Sequence, residues 1–72
     1  MATPEQAINH LIKVIENSSY GQGVRAAAAE GLGFAGGATA RAHLINVLES
    51  SSYGQDVRAA AARALGHAVN RE

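Results

Sequence analysis

The six residues Gly31-Leu32-Gly33-Phe34-Ala35-Gly36 spell G-x-G-x-x-G, the spacing with which a dinucleotide-binding turn lays backbone N–H groups against a pyrophosphate. That chemistry needs the glycines after a strand and at the start of a helix, where unpaired N–H groups and the positive end of the dipole face the phosphate. Here the motif closes an alanine-rich helical stretch, so the dipole points the wrong way, and the glycines read as a helix stop and a linker. His10 and His43 are the next candidates, but each is followed by leucine and has valine (Val14, Val47) one turn on, where a second metal ligand would have to stand. Both are expected as solvated or helix-packing histidines, and His67 as a dipole partner near a helix C-terminus or plain surface. The chain has no cysteine, and its serines sit in turns without a nearby histidine, so no nucleophile, base and orienter come together. No catalytic residue, metal ligand or cofactor is expected.

A second repeated pattern is Tyr20-Gly21-Gln22-Gly23-Val24-Arg25 with Tyr53-Gly54-Gln55-Asp56-Val57-Arg58. Two readings of the arginines stand side by side. In the structural one, each donates to loop carbonyls or to a nearby carboxylate between repeats. In the functional one, Tyr20, Gln22, Arg25, Tyr53, Gln55, Asp56 and Arg58 form a rim that grips an acidic or extended protein segment, since tyrosine and arginine are enriched at interface hot spots.

These residues recur because the chain recurs. Positions 7–33 and 40–66 align at an offset of 33 residues with 19 of 27 pairs identical. A fixed period of about 20–50 residues marks architectures in which each unit buries its apolar face by stacking on a neighbour. Seventy-two residues make one small domain near the size where a lone core suffices only marginally. Of its 47% hydrophobic residues many are alanine and few aromatic, and alanine buries little area at roughly 25 cal/mol per Å². Six basic against six acidic residues leave no net charge, which disfavours a phosphate-driven nucleic-acid surface. No apolar run approaches the length of a membrane span and no signal peptide is visible, so a cytoplasmic protein is the default expectation.

The pattern of apolar residues predicts four helices and no strand. Thr3, Pro4 and Gln6 make a capping box for a first helix over about Pro4–Asn17, with Ile8, Leu11, Ile12 and Ile15 on one face. Ser19-x-x-Gln22 and Ser52-x-x-Gln55 have the same capping form, although Gly21 and Gly54 serve equally as caps. The second helix is expected to bury Val24, Ala27, Ala28 and Leu32 and to stop at Gly33. Residues 34–38 are then the linker between repeat one (about 4–33) and repeat two (about 39–69). Thr39 caps a third helix with Leu44, Ile45 and Leu48 inward. The fourth buries Val57, Ala60, Ala61, Ala64 and Leu65 and reaches Val69, and Asn70-Arg71-Glu72 fray. Glu30 and Arg63, equivalent positions of opposite sign, become neighbours in a stack.

The segments Val24-Arg25-Ala26-Ala27-Ala28-Ala29-Glu30-Gly31-Leu32-Gly33 and Val57-Arg58-Ala59-Ala60-Ala61-Ala62-Arg63-Ala64-Leu65-Gly66 resemble the second helix of short HEAT-like repeats of the phycobilisome-lyase type. Leu11-Ile12-Lys13-Val14-Ile15 and Leu44-Ile45-Asn46-Val47-Leu48 are similar to its first helix. The resemblance implies an all-α fold, an α-solenoid (α-α superhelix) of two helical hairpins, with the second helices lining the concave, ligand-facing side. It departs from the family at Gly23, where an acidic residue is usual (Asp56 supplies it in repeat two), and at Tyr-Gly-Gln, which replaces a frequent Asp-Pro. The function it implies is a non-enzymatic protein-interaction scaffold. An accessory subunit of a phycobiliprotein bilin lyase and a nucleic-acid-binding module are the alternatives. Arrays generally hold about three or more units. Two leave apolar edges, around Ile8 and Ile15 of the first helix and Ala61 and Val69 of the last, so self-association as a homo-oligomer or stacking on further repeats is expected.

Overall fold

The computed structural model describes residues 2–70 and holds four helices: α1 (Pro4–Glu16), α2 (Gln22–Ala35), α3 (Gly37–Glu49) and α4 (Gln55–Ala68). Of the expected fraying end, Arg71 and Glu72 lie outside the described residues, and Asn70 stands in a turn. The capping box of α1 forms as its sequence predicts: Gln6 N–H donates to the Thr3 hydroxyl at 3.1 Å, and Thr3 N–H to the Gln6 side chain at 2.9 Å. At α2 and α4 the glycines cap instead. Gly21 and Gly54 hold extended backbone and neither N-terminus has a side-chain cap, so the serines are left to the turns. There Asn17 Oδ1 accepts from Ser19 N–H and hydroxyl, and Ser50 pairs with Ser52, closing each hairpin locally.

Each first helix packs on its own second helix, and the most extensive contact is between α2 and α4. Why the second helices approach closely is written in the core. Of the twelve buried apolar residues among those described, only Ile15, Leu32, Leu44, Val47 and Val57 are large; the other seven are alanines. Alanine faces bring helix axes together, and at Gly33 the approach of Ala64 leaves no room for a side chain. A Cβ at position 33 would lie 2.5 Å from the Ala64 carbonyl oxygen and 2.6 Å from its Cα and Cβ.

Gly33 therefore does not stop α2. It lies inside the helix as a contact surface, and α2 continues through Phe34 and Ala35. The expected 34–38 linker shrinks to Gly36, whose φ of 71° and the φ of 86° at Gly37 turn the chain at once into α3. Both values lie in the region only glycine enters without strain. Thr39 is consequently a residue within α3, not its cap.

Three expected core residues also face outward: Val24 and Ala27 of α2 and Ile45 of α3. Val24 is 52% exposed, although its equivalent Val57 is fully buried. The periodicity assigned the right face to α1 and α4, but α3 buries Ala40, Leu44 and Val47 and α2 buries Ala28, Ala29 and Leu32, because a face is buried only where a neighbouring helix covers it. Ile15 and Ala61, expected on open edges, are the opposite correction. Both are fully buried within the chain and stand on neither end. Ile8 is half-buried against the core and Val69 is exposed.

Candidate functional site

The α2–α4 layer places equivalent residues side by side. Gly23, Ala26, Glu30 and Phe34 follow one another at helical spacing along α2, and Asp56, Ala59, Arg63 and His67 do so along α4. None of the eight is buried. The C-terminal half of this pair of stripes carries the chemistry. Arg63 donates from Nη2 to Glu30 Oε2 at 2.9 Å and from Nε to the same oxygen at 3.3 Å. One turn further, the Phe34 and His67 rings stack with centroids 4.9 Å apart and an interplanar angle of 29°. Together the four residues line an open pocket of about 170 Å³. Ligand pockets for whole cofactors run to roughly 300–1,000 Å³, so this one has room for a single side chain. Phe34 is 54% exposed, a large apolar surface left in water beside an ion pair. Aromatic residues and arginine are enriched in the buried cores of protein interfaces.

The rim expected from the sequence lies at the other end of the same helices, and the structure divides it. Arg25 is buried, and its Nε donates to the Ile15 carbonyl at 2.8 Å. Arg58 repeats this with the Leu48 carbonyl at 3.0 Å. These carbonyls belong to the last turns of α1 and α3, where backbone acceptors lack helical partners and the dipole favours a cation. The arginines thus cap the first helix of their own hairpins, as in the structural reading, and do not project as grips. The Arg25 guanidinium also lies 5.4 Å from the centroid of the Tyr53 ring, a cation–π contact between repeats. Burial, with the Glu16 carboxylate adding to it, pushes the Tyr53 hydroxyl above its ordinary pKa. Tyr20, Gln22, Gln55 and Asp56 are exposed around these arginines, with no ion pair or ring contact among them.

His43 packs and His10 is solvated, in keeping with the two roles expected of them. The His43 side chain is 10% exposed, with Nδ1 4.0 Å from Glu16 Oε2 and Nε2 buried without a protein partner. Burial lowers its pKa, and Glu16 offsets part of that. Among the described residues no three His, Asp or Glu side chains converge as a metal-binding group. None of the described helices is long and apolar enough to cross a membrane.

Phe34 and His67 were legible as equivalents at the 33-residue offset. The misplaced stop at Gly33 is what hides them, because it puts Phe34 in a linker and leaves His67 without its partner.

Two helical hairpins stacked through their second helices, with equivalent residues in register, define a helical-repeat protein of the α-α superhelix type. The family model of HEAT repeats matches residues 2–68, and the chain belongs to that family. HEAT repeats generally serve as scaffolds for protein interactions. No curated protein and no solved structure matches the chain.

Proposed function

We propose that the chain is a non-enzymatic protein-interaction module, cytoplasmic, that receives a segment of another protein across the α2–α4 layer. The observation that carries this reading is Phe34, left more than half exposed against His67 at the mouth of a side-chain-sized pocket. A bound segment would place one apolar side chain against the Phe34–His67 stack and a polar neighbour over Glu30 and Arg63. The small residues Ala26 and Ala59 leave the rest of the layer open to its backbone. Exposed Gln55 and Asp56 extend the surface toward the N-terminal end, so the expected rim contributes its uncommitted members. A narrower reading, an accessory role in bilin attachment within the phycobilisome-lyase-type branch, rests on the Val-Arg-Ala-Ala-Ala segments alone.

Selection of binding peptides from a random display library tests the proposal. Peptides enriched on the parent chain should carry an aromatic or aliphatic anchor. They should lose at least about tenfold in affinity on Phe34→Ala, a hot-spot loss of roughly 1.4 kcal/mol or more, while Lys13→Ala on the outer helix leaves them unchanged. Peptides that bind the Phe34→Ala chain as well as the parent would sink the reading.

A further inference from the structure

Equivalent residues of the two repeats differ in burial in one direction at each end. Ala40, Val57 and Ala60 of repeat two are fully buried, whereas Ala7, Val24 and Ala27 of repeat one are exposed. At the other end the order reverses. Ile12 is half-buried and Ala29 and Gly33 are buried, whereas Ile45, Ala62 and Gly66 are exposed. Repeat one thus shows water the face that repeat two turns toward it, and repeat two shows water the face that repeat one turns toward it. The two open ends are the two halves of the junction already formed inside the chain.

The individual contacts carry the same relation. Inside the chain Glu30 pairs with Arg63, and the open ends offer Arg63 and Glu30. Phe34 stacks on His67, and the ends offer His67 and Phe34. Arg25 lies over Tyr53, and the ends offer Arg58 and Tyr20. Glu16 neighbours His43, and the ends offer Glu49 and His10. Charge sign and ring type therefore match when the 33-residue offset is applied once more. Gly66 adds a steric argument. A Cβ there would meet nothing within 4 Å, so no contact within the chain calls for glycine in the last turn of α4. Its equivalent Gly33 is the seat that admits Ala64, and Gly66 presents the same seat to the position equivalent to Ala64, which is Gly31.

We propose that a second copy of this chain docks head to tail, its repeat one stacked on repeat two of the first copy in the register of the internal junction. This interface is heterologous, so it leaves one free end of each kind and propagates. Thr3 of one copy and Val69 of the other fall at the position equivalent to Gly36. Both are caps that stand outside their helices, so the helical spans themselves do not overlap in the stack.

Sedimentation of the full chain over a concentration series reads the prediction. The weight-average mass should climb past about twice the monomer, without a plateau at the dimer. Gly66→Gln blocks one face and Val24→Glu the other. Both sites are exposed, so helical circular dichroism should be kept while each variant sediments as a monomer. Mixed together, the two variants should form a one-to-one dimer that grows no further, because each retains the face its partner lacks. A parent chain that stays monomeric up to about millimolar concentration, where interactions weaker than roughly 4 kcal/mol go unseen, overturns the proposal. So does a Gly66→Gln variant that associates like the parent, or a mixture of the blocked variants that stays monomeric. Gly66→Gln and Val24→Glu leave all four pocket residues unchanged, so peptide binding measured on these two monomeric variants stands or falls separately.

Discussion

Gly33 of α2 sits with its Cα against the backbone of Ala64 in α4, so close that any side chain at 33 would enter the Ala64 carbonyl and Cα. The contact is backbone on backbone, and a flexible side chain cannot swing away to relieve it. Gly33→Ala should therefore push α2 and α4 apart and cost about 1–3 kcal/mol by overpacking, or more. Gly31, two residues earlier, is the control. A Cβ there meets only the Leu11 methyls at 3.7 Å, an ordinary contact, and alanine already stands at the equivalent Ala64. Gly31→Ala should stabilise the helix by up to about 1 kcal/mol. Urea unfolding of the two variants checks both signs at once.

Arg25 and Arg58 make the same bond ten residues back along the chain, yet they should not cost the same to remove. Arg25 is buried and also covers the Tyr53 ring; Arg58 is half-buried at the open end of the stack. Arg25→Ala leaves the Ile15 carbonyl without its donor and should cost about 1.5–3 kcal/mol, the range for hydrogen bonds to charged groups. Arg58→Ala, whose carbonyl is closer to water, should cost less. Equal losses in thermal melts would mean that burial does not set the strength of this cap.

The repeat, the all-α class and the span of α1 could be read from the residues because each rests on local chemistry: a capping box, an apolar face, a 33-residue identity. At Gly33 and Thr39 the structure departs from the local signal for one shared reason. A glycine after Leu32 signals a helix end by propensity, and only the approach of α4 reveals that it is a contact surface. Val24 against Val57 shows the same limit from the other side. Identical residues in identical local sequence take opposite burial because the neighbour that covers them is not local. Arg25 was legible as one of two readings, and the carbonyl of Ile15 decides it. The pocket was out of reach, since Phe34 and His67 meet only after both helices are known to run past their glycines.

Glu30 and Arg63 are close, with two hydrogen bonds to one carboxylate oxygen, but both side chains are about half in water. Screening and the entropy of holding two long side chains leave such pairs at about 0–1 kcal/mol. Arg63→Ala should thus shift stability by less than about 1 kcal/mol, and less again at high salt. A larger loss in urea melts would show that the Arg63 stem, packed beside the pocket, carries more than its charge.

His43 should make the fold sensitive to mild acid. Its side chain is nearly enclosed and Nε2 has no protein acceptor, so protonation would place a charge and an unsatisfied donor inside the stack. Glu16 pulls the other way from 4.0 Å, but it is itself more than half exposed, and burial outweighs it. The folded pKa therefore lies below the ordinary 6.5. Between those two values the unfolded chain binds the proton and the folded chain does not, so stability is full above about pH 6.5 and declines as pH falls toward the folded pKa. Replacing the ring removes the linkage: His43→Gln, whatever its stability at neutral pH, should show a flatter decline between pH 7 and 5 than the parent. Chemical unfolding across that range reads the slope directly. If the two slopes coincide, the proton is taken up elsewhere and the enclosed imidazole is not the acid-sensitive group.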